Sequence, residues 1–258
     1  MKKILGFLIL LTALFIHVSN NEVLAQDETN KNLHFNGSVS VTNNGFSFIP
    51  SFSLGKPATI FDLSAGGEKF SFDPQFRFDL DGLKPWSIIF IWRYKLVETD
   101  KFLVKTGMHL LAIAFRSQTY MEDGISKERI VAQRFITPEL TTAYKLTKKT
   151  SVGAHYIYGI GLEKHDQSDH THFFSLRMGT EFDLSKKLFI KWKPEVYYLN
   201  IDGKDGYFTA QNISLNHRKI PLSLQTIMNQ PITTDIDIDF DWNISLIYSF
   251  KNQLALKK

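Results

Sequence analysis

No cysteine occurs anywhere in the 258 residues. A disulfide scaffold, a thiolate metal site, a cysteine nucleophile and a lipid-anchored N-terminal cysteine are therefore excluded. An excess of one charge is lacking too: 30 Lys and Arg stand against 26 Asp and Glu, a formal net charge of +4. So weak and evenly spread a balance argues against a nucleic-acid partner. No apolar run reaches the ~20 residues that a membrane-spanning helix needs. After residue 33 there is no internal repeat and no linker rich in Pro, Gly or Ser, so the remainder reads as one domain. What the chain does have is 22 Phe, 14% aromatic residues and 22% charged residues. With a mean hydropathy of −0.13, that composition fits neither a disordered chain nor a helical membrane protein.

The compartment is read from the first residues. Lys2 and Lys3 followed by an apolar run from Ile4 to Val18 have the charged and hydrophobic regions of a secretory signal. Cleavage after Val23-Leu24-Ala25 is expected, which makes residues 1–25 a signal peptide. Residues 26–32 (QDETNKN) are polar and aperiodic, the pattern of a short disordered lead-in.

From residue 33 onward the hydrophobic period is 2. In residues 235–250, Ile236, Ile238, Phe240, Trp242, Ile244, Leu246, Tyr248 and Phe250 share one face, and Asp235, Asp237, Asp239, Asp241, Asn243, Ser245 and Ser249 share the other. Residues 70–80 and 86–96 repeat the alternation, with Trp86, Ile88, Phe90, Trp92, Tyr94 and Leu96 on one side of the second stretch. About twelve strands can be laid out between residues 33 and 250, with 10–14 the range the pattern allows. They include a strand over 46–64 bent at Gly55-Lys56-Pro57. If the C-terminus is periplasmic, the short turns 99–101, 147–149 and 185–186 fall on one side. The longer segments 117–130, 164–170, 202–206 and 229–234 then fall on the other.

Short periplasmic turns, longer outer loops, an even strand number and an apolar-aromatic face on each strand are features of a transmembrane antiparallel β-barrel. A secreted β-sandwich also alternates, but its outer face would be water and its strands shorter. The all-β reading is thus a barrel over residues 33–250, preceded by a cleaved signal peptide and followed by a polar extension at 251–258. Its apolar faces look at lipid and its polar faces look inward.

Asn43-Asn44-Gly45, Ser53-Leu54-Gly55-Lys56-Pro57, Gly82-Leu83-Lys84-Pro85-Trp86 and the closing Trp242-Asn243-Ile244-Ser245-Leu246-Ile247-Tyr248-Ser249-Phe250 resemble an outer-membrane β-barrel protein family of the Bacteroidota type. The resemblance spans roughly residues 33–250 and implies the barrel, with no activity attached. The aromatic end at Tyr248 and Phe250 resembles the terminal signal read by the barrel-assembly machinery, and 251–258 is an addition to that pattern. Partners so implied are outer-membrane lipid, the assembly machinery and other envelope proteins.

Catalytic chemistry is weakly signalled. Barrel hydrolases need a His beside a Ser on one strand face, and His109, His155 and His217 have no Ser two positions away. No Asp-His pair of a barrel protease shares a strand either. Residues 165–172 hold His165, His170 and His172, which at extended spacing form a weak candidate for a soft divalent ion against the simpler reading of a solvated loop. Asp235, Asp237, Asp239 and Asp241 form an acidic ladder, either a cation-attracting vestibule or ordinary lumen polarity. No cofactor is implied.

Inward-facing charges of both signs cluster near the strand centres: Glu139, His155, Arg177, Glu181, Lys193 and Glu195. Their near-even balance predicts ion pairs bridging the lumen, with Arg177 joined to Glu139 or Glu181 and narrowing the path. Two function classes follow. One is a narrow passive pore for small polar solutes or ions; the other is a structural or accessory envelope barrel with a self-plugged lumen. A membrane hydrolase ranks below both.

Overall fold

The computed structural model describes residues 32–163 and 167–255. The expected signal peptide, nearly all of the expected lead-in and His165 lie outside the described residues. Twelve antiparallel strands follow one another: β1 (Asn32–Thr42), β2 (Ala58–Gly66), β3 (Phe70–Asp79), β4 (Pro85–Glu98), β5 (Phe102–Glu122), β6 (Ile125–Lys145), β7 (Thr150–Gly161), β8 (His170–Asp183), β9 (Leu188–Ile201), β10 (Lys204–His217), β11 (Leu222–Thr234) and β12 (Asp241–Ala255). Each pairs with its sequence neighbours, and β1 pairs with β12, so the sheet closes on itself with no free edge around the barrel.

The two faces divide as the alternation predicts. In β12, Trp242, Ile244, Leu246 and Tyr248 are exposed on the outside while Asn243 and Ser245 are buried inside. This is the inverse of a soluble sheet: the wet, polar side is the enclosed one. Trp86 departs from its expected face. A bulge shifts the β3–β4 register between Arg77 and Phe78, and Trp86 turns into the barrel, its ring 5.2 Å from the Arg77 guanidinium.

Five sequence expectations change. Residues 43–57 do not prolong a strand; they fold as a loop with a 3-10 turn at Pro50–Phe52. Pro50 and Pro57 cannot donate to a ladder, and the alternating Phe46 and Phe48 mark an inserted loop rather than a strand. The segment 117–130 is largely strand, because β5 and β6 continue as a hairpin to a turn at Asp123-Gly124, where both residues have positive φ. Its hydrophobic period fades because both faces meet water there, although the backbone ladder persists. Similarly, 202–206 reduces to a two-residue turn at Asp202-Gly203, again with positive φ. Segment 229–234 belongs to β11, so the outer loop is 235–240. At the C-terminus, β12 runs past Phe250 to Ala255, with Lys251 opposite Asn36 and Ala255 opposite Asn32. The barrel therefore takes up five residues of the segment read as a polar extension.

Candidate functional site

The outer half of the lumen is filled by two loops. Residues 43–57 turn inward and insert Phe48 and Phe52. Phe48 lies 5.1 Å from Tyr197 and 6.2 Å from Phe173, ring centre to ring centre, and Phe52 lies 5.4 Å from Phe135. Ile49 packs against both hydrophobic clusters of the inner wall. Arg116 holds the turn from β5: its guanidinium donates to the Ser53 carbonyl at 2.6 Å and to the Pro50 carbonyl at 2.7 Å. The second loop, 235–240, adds Ile236 and Ile238 to the cluster of Phe173, Tyr197, Leu199 and Phe208. Asn44 ties the first loop to the start of β12, where the second loop ends, by donating to Asp241 Oδ1 at 2.6 Å and to the Trp242 carbonyl at 3.0 Å.

This arrangement revises the acidic ladder. Asp235, Asp237 and Asp239 stand on a loop, not a strand, and remain exposed while the isoleucines between them point into the barrel mouth. Asp241 alone begins the strand, and it serves as the acceptor for Asn44. Parity is preserved through 235–250, but the apolar side meets the plug above residue 240 and lipid below it.

Beneath the plug, one wall of the lumen carries a continuous polar belt. Glu139, 5% exposed, is its hub. Arg93 approaches with Nε 2.5 Å from Oε1 and Nη2 3.4 Å from Oε2, His109 Nε2 lies 3.0 Å from Oε2, and His155 Nε2 lies 3.5 Å from it. Arg93 also donates to Asp73 Oδ2 at 2.7 Å, and Asp73 accepts from Ser64 and Ser71. His34 meets Ser64 at 3.2 Å, so the belt reaches from β1 to β7. Gly107 makes this possible: it stands between Arg93 and Glu139 in register, and a Cβ there would come 2.6 Å from Glu139 Oε1.

The facing wall, on β7–β10, stays open. Cavities of about 340 Å³ and 180 Å³ lie against it, and Arg177 and Glu195 line both. Lys193 and Asn212 border the larger; His155, Phe48 and Phe173 border the smaller. Arg177 stands opposite Glu195 in register. Among the described residues neither belongs to an ion pair.

The six charges expected to form a mid-lumen network thus separate. Glu139 and His155 join the belt. Arg177, Lys193 and Glu195 line the open wall. Glu181 lies at the periplasmic rim, where Arg218 takes it at 3.4 Å and also bonds Asp183. Arg177 bridges neither Glu139, whose partners are Arg93 and two histidines, nor Glu181. Arg93, Asp73 and Arg116 are the residues that sequence reasoning underweighted. Asp73 and Arg93 sit on an inward face by parity, but nothing local names their partners, and Arg116 turns inward only through the register shift between His109 and Ala112.

The weaker candidates are also placed. His170 and His172 share an outward face, and their Nδ1 atoms bond the Tyr158 and Tyr156 hydroxyls at 2.9 and 2.8 Å in a stacked ladder. No group of three or more His, Asp or Glu among the described residues is arranged to hold a metal ion. His155 does face a serine, Ser175, across β7–β8. Ser175 is wholly buried, however, and its hydroxyl and His155 Nε2 share no hydrogen bond, so no activated nucleophile is built there. Tyr248 faces outward, and Phe250 packs 5.5 Å from Phe35.

Solved outer-membrane porins share this architecture. The KdgM porin in complex with disordered oligogalacturonate superposes with a TM-score of 0.51 at 10% identity, over 84% of this chain and 99% of that one. The NanC porin gives a TM-score of 0.51 at 13% identity, over 83% and 98%. Likeness at such identity is a likeness of fold, that of an outer-membrane β-barrel. No protein-family model and no curated protein matches the sequence.

Proposed function

We propose that the chain is a narrow passive pore of the outer membrane that favours small anionic solutes. The observation that carries this reading is the charge left over after pairing. On the belt wall, Arg93 is taken by Glu139 and Asp73. Arg77, half-buried on the inner wall, donates to Gln75 Oε1 at 2.9 Å and lies within electrostatic reach of Asp62. On the open wall, Arg177 and Lys193 face the cavity with Glu195 opposite Arg177 in register, Lys191 lies further down the same strand opposite Glu181, and Lys105 projects from β5 within electrostatic reach of Arg177. Unpaired cations along a water path raise the local concentration of anions and lower their barrier to passage. The KdgM porin, whose structure holds the polyanion oligogalacturonate, has the same fold, and that supports an anionic solute class. The plug keeps the path narrow and off-axis, against β7–β10.

The same reading places the chain in the outer membrane after export by its N-terminal segment, with Tyr248 and Phe250 engaging the barrel-assembly machinery. Its resemblance to barrels of the Bacteroidota type fits this setting. The test is single-channel recording in planar bilayers under a salt gradient. A steady conductance with a reversal potential displaced toward anions is expected.

One observation favours the second reading, a self-plugged structural barrel: the plug is packed and clamped, not loosely draped. If the wild type and a variant lacking residues 46–54 are both silent at every voltage, the pore reading fails and the structural one stands.

A further inference from the structure

A cavity of about 710 Å³ lies on the outside of the barrel. It is a trough cut across the lipid-facing wall. Thr142, Ala154, Leu176, Val196 and Thr209 are successive partners in register across β6–β10, and four of the five are short. The outward row immediately toward the cell exterior is Leu140, Tyr156, Phe174, Tyr198 and Tyr207. Bulky side chains therefore form a ridge above, and their absence forms the trough.

Three of the polar side chains that line the trough are bonded to partners within the wall. Thr142 Oγ1 accepts from the Ala154 amide at 3.3 Å, Thr209 Oγ1 donates to the Glu195 carbonyl at 3.4 Å, and Gln211 Oε1 accepts from the Trp192 indole at 2.8 Å. Pro194 has no N–H to give. Polar groups satisfied within the wall leave an apolar groove at hydrocarbon depth. Its length, four strand spacings of ~4.8 Å, is ~19 Å. At a strand tilt of ~40° such a groove climbs through most of one leaflet, half of a ~30 Å hydrocarbon core.

At its periplasmic end the chemistry changes sign. Phe102 and Ala143 line the trough and also a recess of about 310 Å³ between the turns 99–101 and 146–149. Lys101, Lys145, Lys148 and Lys149 border that recess with one carboxylate, Glu98, which Lys95 engages. Asp183 engages Lys149; the other three have no ion-pair partner among the described residues. An apolar groove of leaflet length that ends in an unneutralised lysine cluster at the membrane surface has the form of an amphiphile with an anionic head.

We infer that this face binds a periplasmic-leaflet phospholipid, one acyl chain lying in the Thr142–Thr209 trough and an anionic headgroup held by Lys101, Lys145 and Lys148. The site lies on the lipid side of the wall; Arg177 and Glu195 are the residues that border both it and the lumen cavities. Lysines at a membrane surface favour anionic lipid, and the trough fixes where that lipid sits.

The test is native mass spectrometry of the full chain released from micelles doped equally with phosphatidylglycerol and phosphatidylcholine. The wild type should retain phosphatidylglycerol on the order of 100-fold over phosphatidylcholine, as three surface lysines at about 1 kcal/mol each imply. Lys101→Glu with Lys148→Glu should abolish the preference. Ala154→Trp should reduce retention of both lipids, and Leu224→Trp, on the lipid face of β11 away from the trough, should not. Heat-dependent gel migration checks folding; if Ala154→Trp fails it, Thr209→Phe at the far end of the trough takes its place. Equal retention of the two lipids by the wild type, or unchanged retention in the trough variants, overturns the inference. So does a wild-type dimer that Ala154→Trp splits, which would make the trough an interface between copies.

Discussion

Arg93 on β4 and Glu139 on β6 meet across the strand that separates them, Nε lying 2.5 Å from Oε1 over the bare backbone of Gly107. The contact spans 46 residues of sequence. It anchors a belt in which each charge has a partner, so the belt wall of the lumen is structural and the opposite wall is left for the solute.

Glu139→Gln should therefore destabilise the barrel rather than change its selectivity. Removing one partner from a desolvated ion pair strands the other, and here Arg93 would keep only Asp73. A loss of about 3 kcal/mol is expected, at the low end for buried pairs because Arg93 retains some water. Gly107→Ala should act in the same direction by displacing the Glu139 carboxylate. Urea unfolding of the refolded barrel in lipid vesicles measures both; stability equal to wild type would remove the belt as a structural element.

Selectivity should respond to the open wall. Arg177→Glu or Lys193→Glu should move the reversal potential toward cations, and Glu195→Gln should move it further toward anions. Stability should change little, because neither Arg177 nor Glu195 is ion-paired. Identical reversal potentials in folded variants would place the conducting path elsewhere.

Loosening the plug should widen the path. Arg116→Ala removes two charge-assisted hydrogen bonds to the loop turn, each worth about 1.5–3 kcal/mol. Larger and noisier single-channel steps are expected, and Arg116→Lys should restore part of the quiet state. A trace like the wild type would mean that Phe48 and Phe52 hold the loop without the clamp.

Topology is directly testable because the chain has no native cysteine. A cysteine at Asp123, the tip of the β5–β6 hairpin, should react with a membrane-impermeant thiol reagent on intact cells. One at Lys148 should react only after the outer membrane is opened. The reverse labelling would invert the barrel.

The lipid face and the lumen face should differ sharply in tolerance. Leu246→Arg places a charge toward the hydrocarbon core and should cost about 2–4 kcal/mol and slow assembly. Asn212→Arg, beside the 340 Å³ cavity, should fold normally. Comparable folding yields would mean that the two faces are exchanged.

The alternation of residues such as Ile244, Ser245 and Leu246 was enough to establish the strands, the barrel and which side of each strand meets lipid. That is because side-chain direction in a strand depends only on residue parity. The short periplasmic turns and the roles of Trp242 and Asn243 could be read in the same local way. The partners of Glu139 could not. Parity brings Arg93, His109, His155 and Arg177 alike to the inside, and only the register of the five successive strands β4–β8, shifted by bulges at Phe90–Ile91 and His109–Ala112, decides which of them come within reach. The plug was hidden for a related reason. Residues 46–54 and 235–240 alternate as strands do, and it is the closed wall's unfilled interior, a property of the whole barrel, that turns their apolar side chains inward.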